Sequence, residues 1–220
     1  MQRRDFIQFP LALGSSAIVT AQTTVPARNT ITLGPRIGLA LGSGSARGFA
    51  HIGVLKALDE AGFKADVVAG TSAGSLVGIF YAAGFTPWQM EEVALKVRDI
   101  DVADISNASK RGMFAGEALQ RLVNDFVKQT PIEKLRIPYA ALATNLKTGE
   151  AVTLRSGDSG LAVRASCSIP GVFVPALVAG VELVDGGLVS PLPVKAARLL
   201  GAEFVIAVDV GSKQIGRAHV

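Results

Sequence analysis

Cysteine occurs once in this 220-residue chain, at Cys167, and histidine twice, at His51 and His219. A single thiol excludes a disulfide framework and a cysteine zinc site. Two imidazoles leave little material for a histidine-rich metal centre. Aromatic residues make up only 6% and charged residues 18% of the chain, against 49% hydrophobic. That balance excludes intrinsic disorder as the main state. The 24 glycines and 10 prolines follow no period, so the chain is neither collagen-like nor low-complexity. The net charge of +4 comes without a basic run interleaved with aromatics, so a nucleic-acid face is not indicated. What remains fits one domain of about average-to-large size, with enough chain to bury a core.

Both ends read as separate from that domain. Residues 1–21 hold a charged start, a short apolar stretch from Pro10 and small residues at Val19-Thr20-Ala21, the pattern of a cleavable export signal. Arg3-Arg4-Asp5-Phe6 resembles a twin-arginine motif, which implies a periplasmic or envelope-associated protein. The competing reading is an ordinary amphipathic helix. Residues 22–35 are polar and unpatterned, a linker. Residues 214–220 (Gln214-Ile215-Gly216-Arg217-Ala218-His219-Val220) resemble a translated sequencing adapter, so a non-native tail is expected past about Lys213. Three of the 22 basic residues, Arg3, Arg4 and Arg217, lie in residues 1–21 and 214–220.

Between them, Ile37–Leu41 reads as a strand, followed by a glycine-rich loop and a helix with Ile52, Leu55 and Leu58 at helical spacing. Val67–Ala69 is a second strand, followed by a turn and an apolar helix to about Ala83. Strand, loop, helix, strand, turn, helix is the pattern of a parallel α/β sheet. A more polar helical stretch is expected over 87–129, broken near 106–112. Strands are expected at Tyr139–Thr144, Ala151–Leu154, Glu182–Val184 and Phe204–Val210, with a helix at Pro193–Leu200. Ala165–Val181 carries no charge, but its prolines and glycines forbid a membrane helix. That stretch and Trp88 suit peripheral membrane contact, and core burial accounts for both equally well. Oligomeric state stays open.

Chemistry concentrates in three places. Gly70-Thr71-Ser72-Ala73-Gly74 is a G-x-S-x-G turn from strand to helix, which presents a serine hydroxyl above a sheet. The alternative is a structural turn. A serine nucleophile needs a base, and the only later histidine, His219, lies in the suspect tail. His51 precedes the serine on an apolar helix face, where packing or capping is the commoner role. A carboxylate acting directly is the remaining route. Asp185 is best placed, ending an apolar strand before Gly186-Gly187, which allow a sharp turn. The loop Gly42-Ser43-Gly44-Ser45-Ala46-Arg47-Gly48 can point backbone N–H groups at an anion. It also begins like a dinucleotide fingerprint, but Arg47 replaces the third glycine and Asp66 precedes the second strand rather than ending it.

Gly42-x-Gly44-x-x-Arg47-Gly48, Gly70-x-Ser72-x-Gly74 and Asp185-Gly186-Gly187, in that order, resemble the patatin-like phospholipase family, in particular its neuropathy target esterase branch. The stretches Phe49–Leu55, Ala143–Glu150 and Ser166–Phe173 are similar too, so the resemblance spans about 36–213. It implies one three-layer α/β domain, with a mainly parallel central sheet and helices on both faces. It further implies a serine lipid hydrolase acting on phospholipid or lysophospholipid acyl esters, with no cofactor and no metal. By that resemblance Ser72 is the nucleophile, Asp185 the base, and Gly42, Gly44, Ser45, Ala46 and Arg47 form the oxyanion loop. Ser43 and Ser45 depart from the family's run of glycines, although serine N–H groups serve equally. The alternative within the same fold is a non-catalytic protein that binds lipid or a partner.

Overall fold

In the computed structural model, residues 34–98, 102, 104–106 and 110–211 are described. The expected export segment 1–21, nearly all of the linker 22–35 and the tail 214–220 lie outside them. The first strand, β1 (Ile37–Leu41), leads through a 3-10 turn (Ser45–Phe49) into α1 (Ala50–Glu60). Then β2 (Val67–Thr71) feeds α2 (Ala73–Ala83), which Gly84 ends in a left-handed conformation with φ +98°. Helix α3 (Pro87–Lys96) opens with Thr86 and Gln89 in a reciprocal capping box, which satisfies two otherwise unpaired backbone donors. There follow β3 (Gly112–Phe114), α4 (Glu117–Phe126), β4 (Tyr139–Asn145), β5 (Ala151–Leu154) and α5 (Ser159–Cys167). The chain continues through β6 (Gly171–Phe173), β7 (Ala176–Val178), β8 (Val181–Asp185), α6 (Val194–Leu199) and β9 (Phe204–Val208).

Two stretches differ from expectation. The interval between α3 and α4 contains β3, which pairs in parallel with β6. The uncharged Ala165–Val181 stretch is the end of α5 followed by β6 and β7, because Pro170, Gly171 and Pro175 each break a continuous element. Trp88 is half-exposed at the start of α3.

The main sheet runs β7-β8-β4-β2-β1-β9, with β5 also on β4. Strands β9, β1, β2 and β4 form a parallel core. Strands β5, β8 and β7 extend it antiparallel. Residues alternate between faces along each strand. Leu39, Leu41, Val68 and Tyr139 pack with Ile52 and Leu55 of α1, Ile79 of α2 and Val123 of α4. Ala40, Val67, Ala69 and Leu142 face the other way, onto Ala196 and Ala197 of α6. One face is thus a thick aliphatic core and the other a close, alanine-lined contact. Each large aliphatic side chain buried here contributes about 1.5–3 kcal/mol.

The register on β4 decides where the site forms. Ala141 and Leu142 pair with both β2 and β5, so those two strands occupy opposite edges of β4. Ala143 and Thr144 pair with both β5 and β8. Strand β8 therefore lies on the same edge as β2, end to end with it. Thr71 closes β2 opposite Leu142, and Asp185 closes β8 opposite Ala143, the next residue along.

Candidate active site

Ser72 links β2 to α2 with φ +52° and ψ −122°. Non-glycine residues rarely adopt such a backbone, and holding one there costs on the order of 1–3 kcal/mol. The turn is tight enough to exclude side chains around it. A Cβ on Gly74 would collide with the Leu41 carbonyl and come within 2.5 Å of Gly42 O. One on Gly70 would meet Ser75 Cα at 2.5 Å. The spacing of the two glycines around Ser72 is thus set by close backbone approach.

A serine at a helix N-cap ordinarily accepts a hydrogen bond from the first turn. Ser72 makes no such cap. Its Oγ donates instead to Asp185 Oδ2 at 2.6 Å, and both residues are buried. The other carboxylate oxygen, Oδ1, accepts from Gly187 N–H at 2.6 Å. Asp185's backbone is held on both sides: its N–H donates to Ser168 O and Thr144 Oγ1 donates to its carbonyl, each at 2.8 Å. Gly186 is required because a Cβ there would strike the Leu142 carbonyl. Burial raises the Asp185 carboxyl above its ordinary range, and the hydrogen bonds from Ser72 and Gly187 offset part of that rise. A buried carboxylate with raised proton affinity, bonded to a hydroxyl, is suited to take that hydroxyl's proton.

Ser166 is a residue that sequence reasoning did not assign. Its Oγ accepts from Ser72 N–H at 2.9 Å and donates to Leu142 O at 2.5 Å. One hydroxyl thus ties the strained turn to β4, the strand that also registers Asp185. Nothing in the sequence marks it: only its full burial shows a hydroxyl that needs partners in the interior. Its neighbour Cys167 packs beside Ser75, sulfur to Oγ at 3.8 Å, and burial pushes its thiol up to about 12. A thiol raised in this way is a poor nucleophile, which suits Cys167 to packing rather than chemistry.

The glycine-rich loop divides into anchored and unanchored parts. Gly42 N–H donates to Val208 O at 2.9 Å and Ser43 N–H to Pro191 O at 2.8 Å. Gly42 therefore offers no free donor, which corrects its expected place in the oxyanion loop. Gly44, Ser45 and Ala46 precede or open the 3-10 turn, where their N–H groups have no acceptor among the described residues. Gly44 and Ser45 line one cleft of about 320 Å³ with Ser72, Asp185, Gly187 and Arg47. Ala46 does not line it and Arg47 N–H donates to Gly44 O at 3.0 Å, so the cleft-lining loop residues with an unpaired N–H are Gly44 and Ser45, which corrects the expected place of Ala46 and Arg47 among the oxyanion donors. Ser45 stands at φ +49°, a left-handed conformation in which glycine would be unstrained. Arg47 Nε donates to Val210 O at 2.9 Å, pinning the loop to the segment two residues past β9. His51 is fully buried and bonds Gly42 O, so it packs rather than reaching Ser72 as a base.

A larger hollow of about 710 Å³ lies between α3 and α4, lined by residues such as Val93, Leu122 and Phe126. It includes neither Ser72 nor Asp185. Among the described residues no group of His, Cys, Asp or Glu could hold a metal ion. No described helix is long and apolar enough to cross a membrane.

The fold and the turn at Ser72 define an α/β domain of the kind that presents a serine above its sheet. A family model described as patatin-like phospholipase matches residues 39–198, and the chain belongs to that family. An uncharacterized NTE family protein of Mycobacterium tuberculosis is 40% identical over 192 residues, covering 84% of this chain and 52% of the relative. Patatin-like phospholipase domain-containing protein 6 of Homo sapiens is 38% identical over 191 residues, covering 83% of this chain and 14% of the relative. Lysophospholipase NTE1 of Mycosarcoma maydis is 35% identical over 201 residues, covering 81% and 10%. The chain thus spans about half the length of the mycobacterial relative and a small part of the others. The crystal structure of VipD from Legionella pneumophila superposes with a TM-score of 0.56 at 16% identity, over 71% of this chain and 46% of that one. That likeness is one of fold.

Proposed function

We propose that this protein is a serine lipid hydrolase that cleaves acyl esters of phospholipids or lysophospholipids through Ser72 and Asp185. The observation behind this reading is the 2.6 Å hydrogen bond from the strained Ser72 hydroxyl to buried Asp185. Family membership and the fungal relative's name, lysophospholipase, supply the substrate class.

Asp185 Oδ2 takes the hydroxyl proton as Ser72 Oγ attacks the ester carbonyl carbon. The tetrahedral oxyanion sits against Gly44 and Ser45 N–H, whose loss would cost on the order of 10²–10³ in rate per donor. The C–O bond to the leaving alcohol breaks as Asp185 returns the proton to it, leaving an acyl ester on Ser72. Water then attacks that ester with Asp185 again accepting a proton. The fatty acid departs and Ser72 regains its hydroxyl. Exposed Leu188 and the neighbouring Ile169 and Pro170 form an apolar edge to the cleft, suited to a lipid tail at a membrane surface. Export through the twin-arginine-like segment belongs to the same proposal.

The test is intact mass after treatment with a fluorophosphonate, followed by lysophospholipid hydrolysis. A single adduct in the wild type, absent in Ser72→Ala, together with fatty-acid release, is expected. A folded wild type that neither labels nor releases fatty acid would point to the non-catalytic, lipid-binding alternative.

A further inference from the structure

His51 is fully buried, yet only one of its ring nitrogens has a partner. Nε2 lies 2.8 Å from Gly42 O. A carbonyl can only accept, so Nε2 carries the proton and Nδ1 is left as a buried lone pair without a donor. Burial also lowers the ring's proton affinity, despite the bond to Gly42. An unsatisfied buried nitrogen is costly. A leucine or phenylalanine would pack this site without that cost.

The partner explains the expense. Gly42 O belongs to the same peptide unit as Ser43 N–H, which donates to Pro191 O at 2.8 Å. The preceding N–H, of Gly42, is fixed to Val208 O at 2.9 Å. The next two N–H groups, of Gly44 and Ser45, are unpartnered among the described residues and belong to residues that line the cleft. The last rigid peptide before them is therefore clamped on both sides. On one side the clamp is the backbone of the loop after Asp185-Gly186-Gly187, and on the other it is the His51 ring. Gly42 O also lies in close approach to Gly74, so the same peptide abuts the helix that begins at Ser72. Of these anchors, His51 is the one contributed by a side chain.

We infer that His51 is a positioning residue: its Nε2–H fixes the Gly42–Ser43 peptide plane and so aims the Gly44 and Ser45 N–H groups at the oxyanion formed on Ser72. This role rests on the proposed serine chemistry. It does not make His51 a base, because its protonated nitrogen faces a carbonyl and Ser72 Oγ already donates to Asp185. Misplacing reacting groups by about 1 Å can cost about 10²-fold in rate, and loss of the clamp acts on that scale.

The test uses rates of fluorophosphonate labelling on the full chain, resolved into maximal rate and half-saturating concentration. Wild type, Ser72→Ala, His51→Leu, His51→Gln and His51→Asn are compared. Glutamine places an amide N–H near the position of Nε2, whereas asparagine reaches only that of Nδ1. We expect His51→Leu and His51→Asn to lower the maximal rate by about 10²-fold with half-saturation unchanged, and His51→Gln to restore most of it. A folded His51→Leu that labels at the wild-type rate overturns the role. Equal loss in glutamine and asparagine also overturns it, since the imidazole itself would then be required. If leucine prevents folding, the glutamine–asparagine contrast alone decides. Wild type that shows no Ser72-dependent adduct removes the serine chemistry and this role together, whereas the other failures leave that chemistry standing.

Discussion

Thr71 and Asp185 face consecutive residues on one edge of β4: Thr71 pairs with Leu142 and Asp185 with Ala143. Strands β2 and β8 run into each other along that edge from opposite directions. The residue after Thr71 is Ser72, so the meeting point sets its hydroxyl 2.6 Å from the Asp185 carboxylate. Strand register, rather than loop conformation, sets this pair.

Asp185→Asn tests the carboxylate as a proton acceptor. The amide preserves the shape and still accepts from Gly187 N–H, but cannot take the Ser72 proton. Turnover is expected to fall by about 10²–10⁴-fold, measured as fatty-acid release at neutral pH.

The same residue sets a pH dependence. Burial raises the Asp185 carboxyl above its ordinary range, and the proposed reaction needs it ionised. The acid limb of kcat/KM is therefore expected to lie above that of an exposed aspartate. Stability runs the other way. A folded-state value raised above the unfolded one stabilises below the ordinary carboxylate range, and that contribution is lost as pH rises through the raised value. Asp185→Asn should accordingly have a higher Tm than wild type at neutral pH, with the gap closing in acid. An equal gap at both pH values would contradict the assignment.

Ser72→Ala and Ser72→Gly both delete the hydroxyl and differ only in backbone tolerance. With φ at +52°, glycine should be more stable than alanine by about 1 kcal/mol in urea unfolding. Both should be inactive.

Ser166→Ala leaves Ser72 N–H and Leu142 C=O without their shared partner. A stability loss of about 1–3 kcal/mol is expected, with turnover falling further than stability alone explains because Ser72 is no longer tied to β4. Calorimetry and kcat on the same preparation separate the two.

Two glycine-to-alanine changes should have opposite signs. Gly74→Ala drives a Cβ into the Leu41 carbonyl and should cost about 3 kcal/mol, the upper end of what overpacking costs. Gly53 lies within α1 with no atom within 4 Å of its would-be Cβ. Gly53→Ala should raise stability by about 0.5–1 kcal/mol.

The parallel core was legible because its strands are short apolar runs broken by glycine and followed by helical periodicity. The strands β3, β6 and β7 were not, since each is three residues long and a period of two needs more length to show. The motif residues Ser72 and Asp185 stood out through their flanking glycines, but their contact depends on β2 and β8 sharing an edge, which no local pattern encodes. Gly42 was expected among the oxyanion donors from the family resemblance, and a matching glycine does not say where its N–H points. Ser166 was invisible for a related reason, since a serine within a helix looks alike whether it meets solvent or ties two strands.

Ser72 and Asp185 are 113 residues apart in the chain, and β8 reaches its edge of β4 only after most of the sheet has been synthesised. Pairings at such separation form late, because the closure of the long loop precedes any gain from contact. Until then Ser72 has no carboxylate beside it and is an ordinary alcohol. On the proposed mechanism a chain that has not yet docked β8 is therefore inert, and reactivity arrives with that strand rather than with Ser72 itself. If the proposed attack on membrane lipid esters holds, the docking of β8 acts as the safety catch.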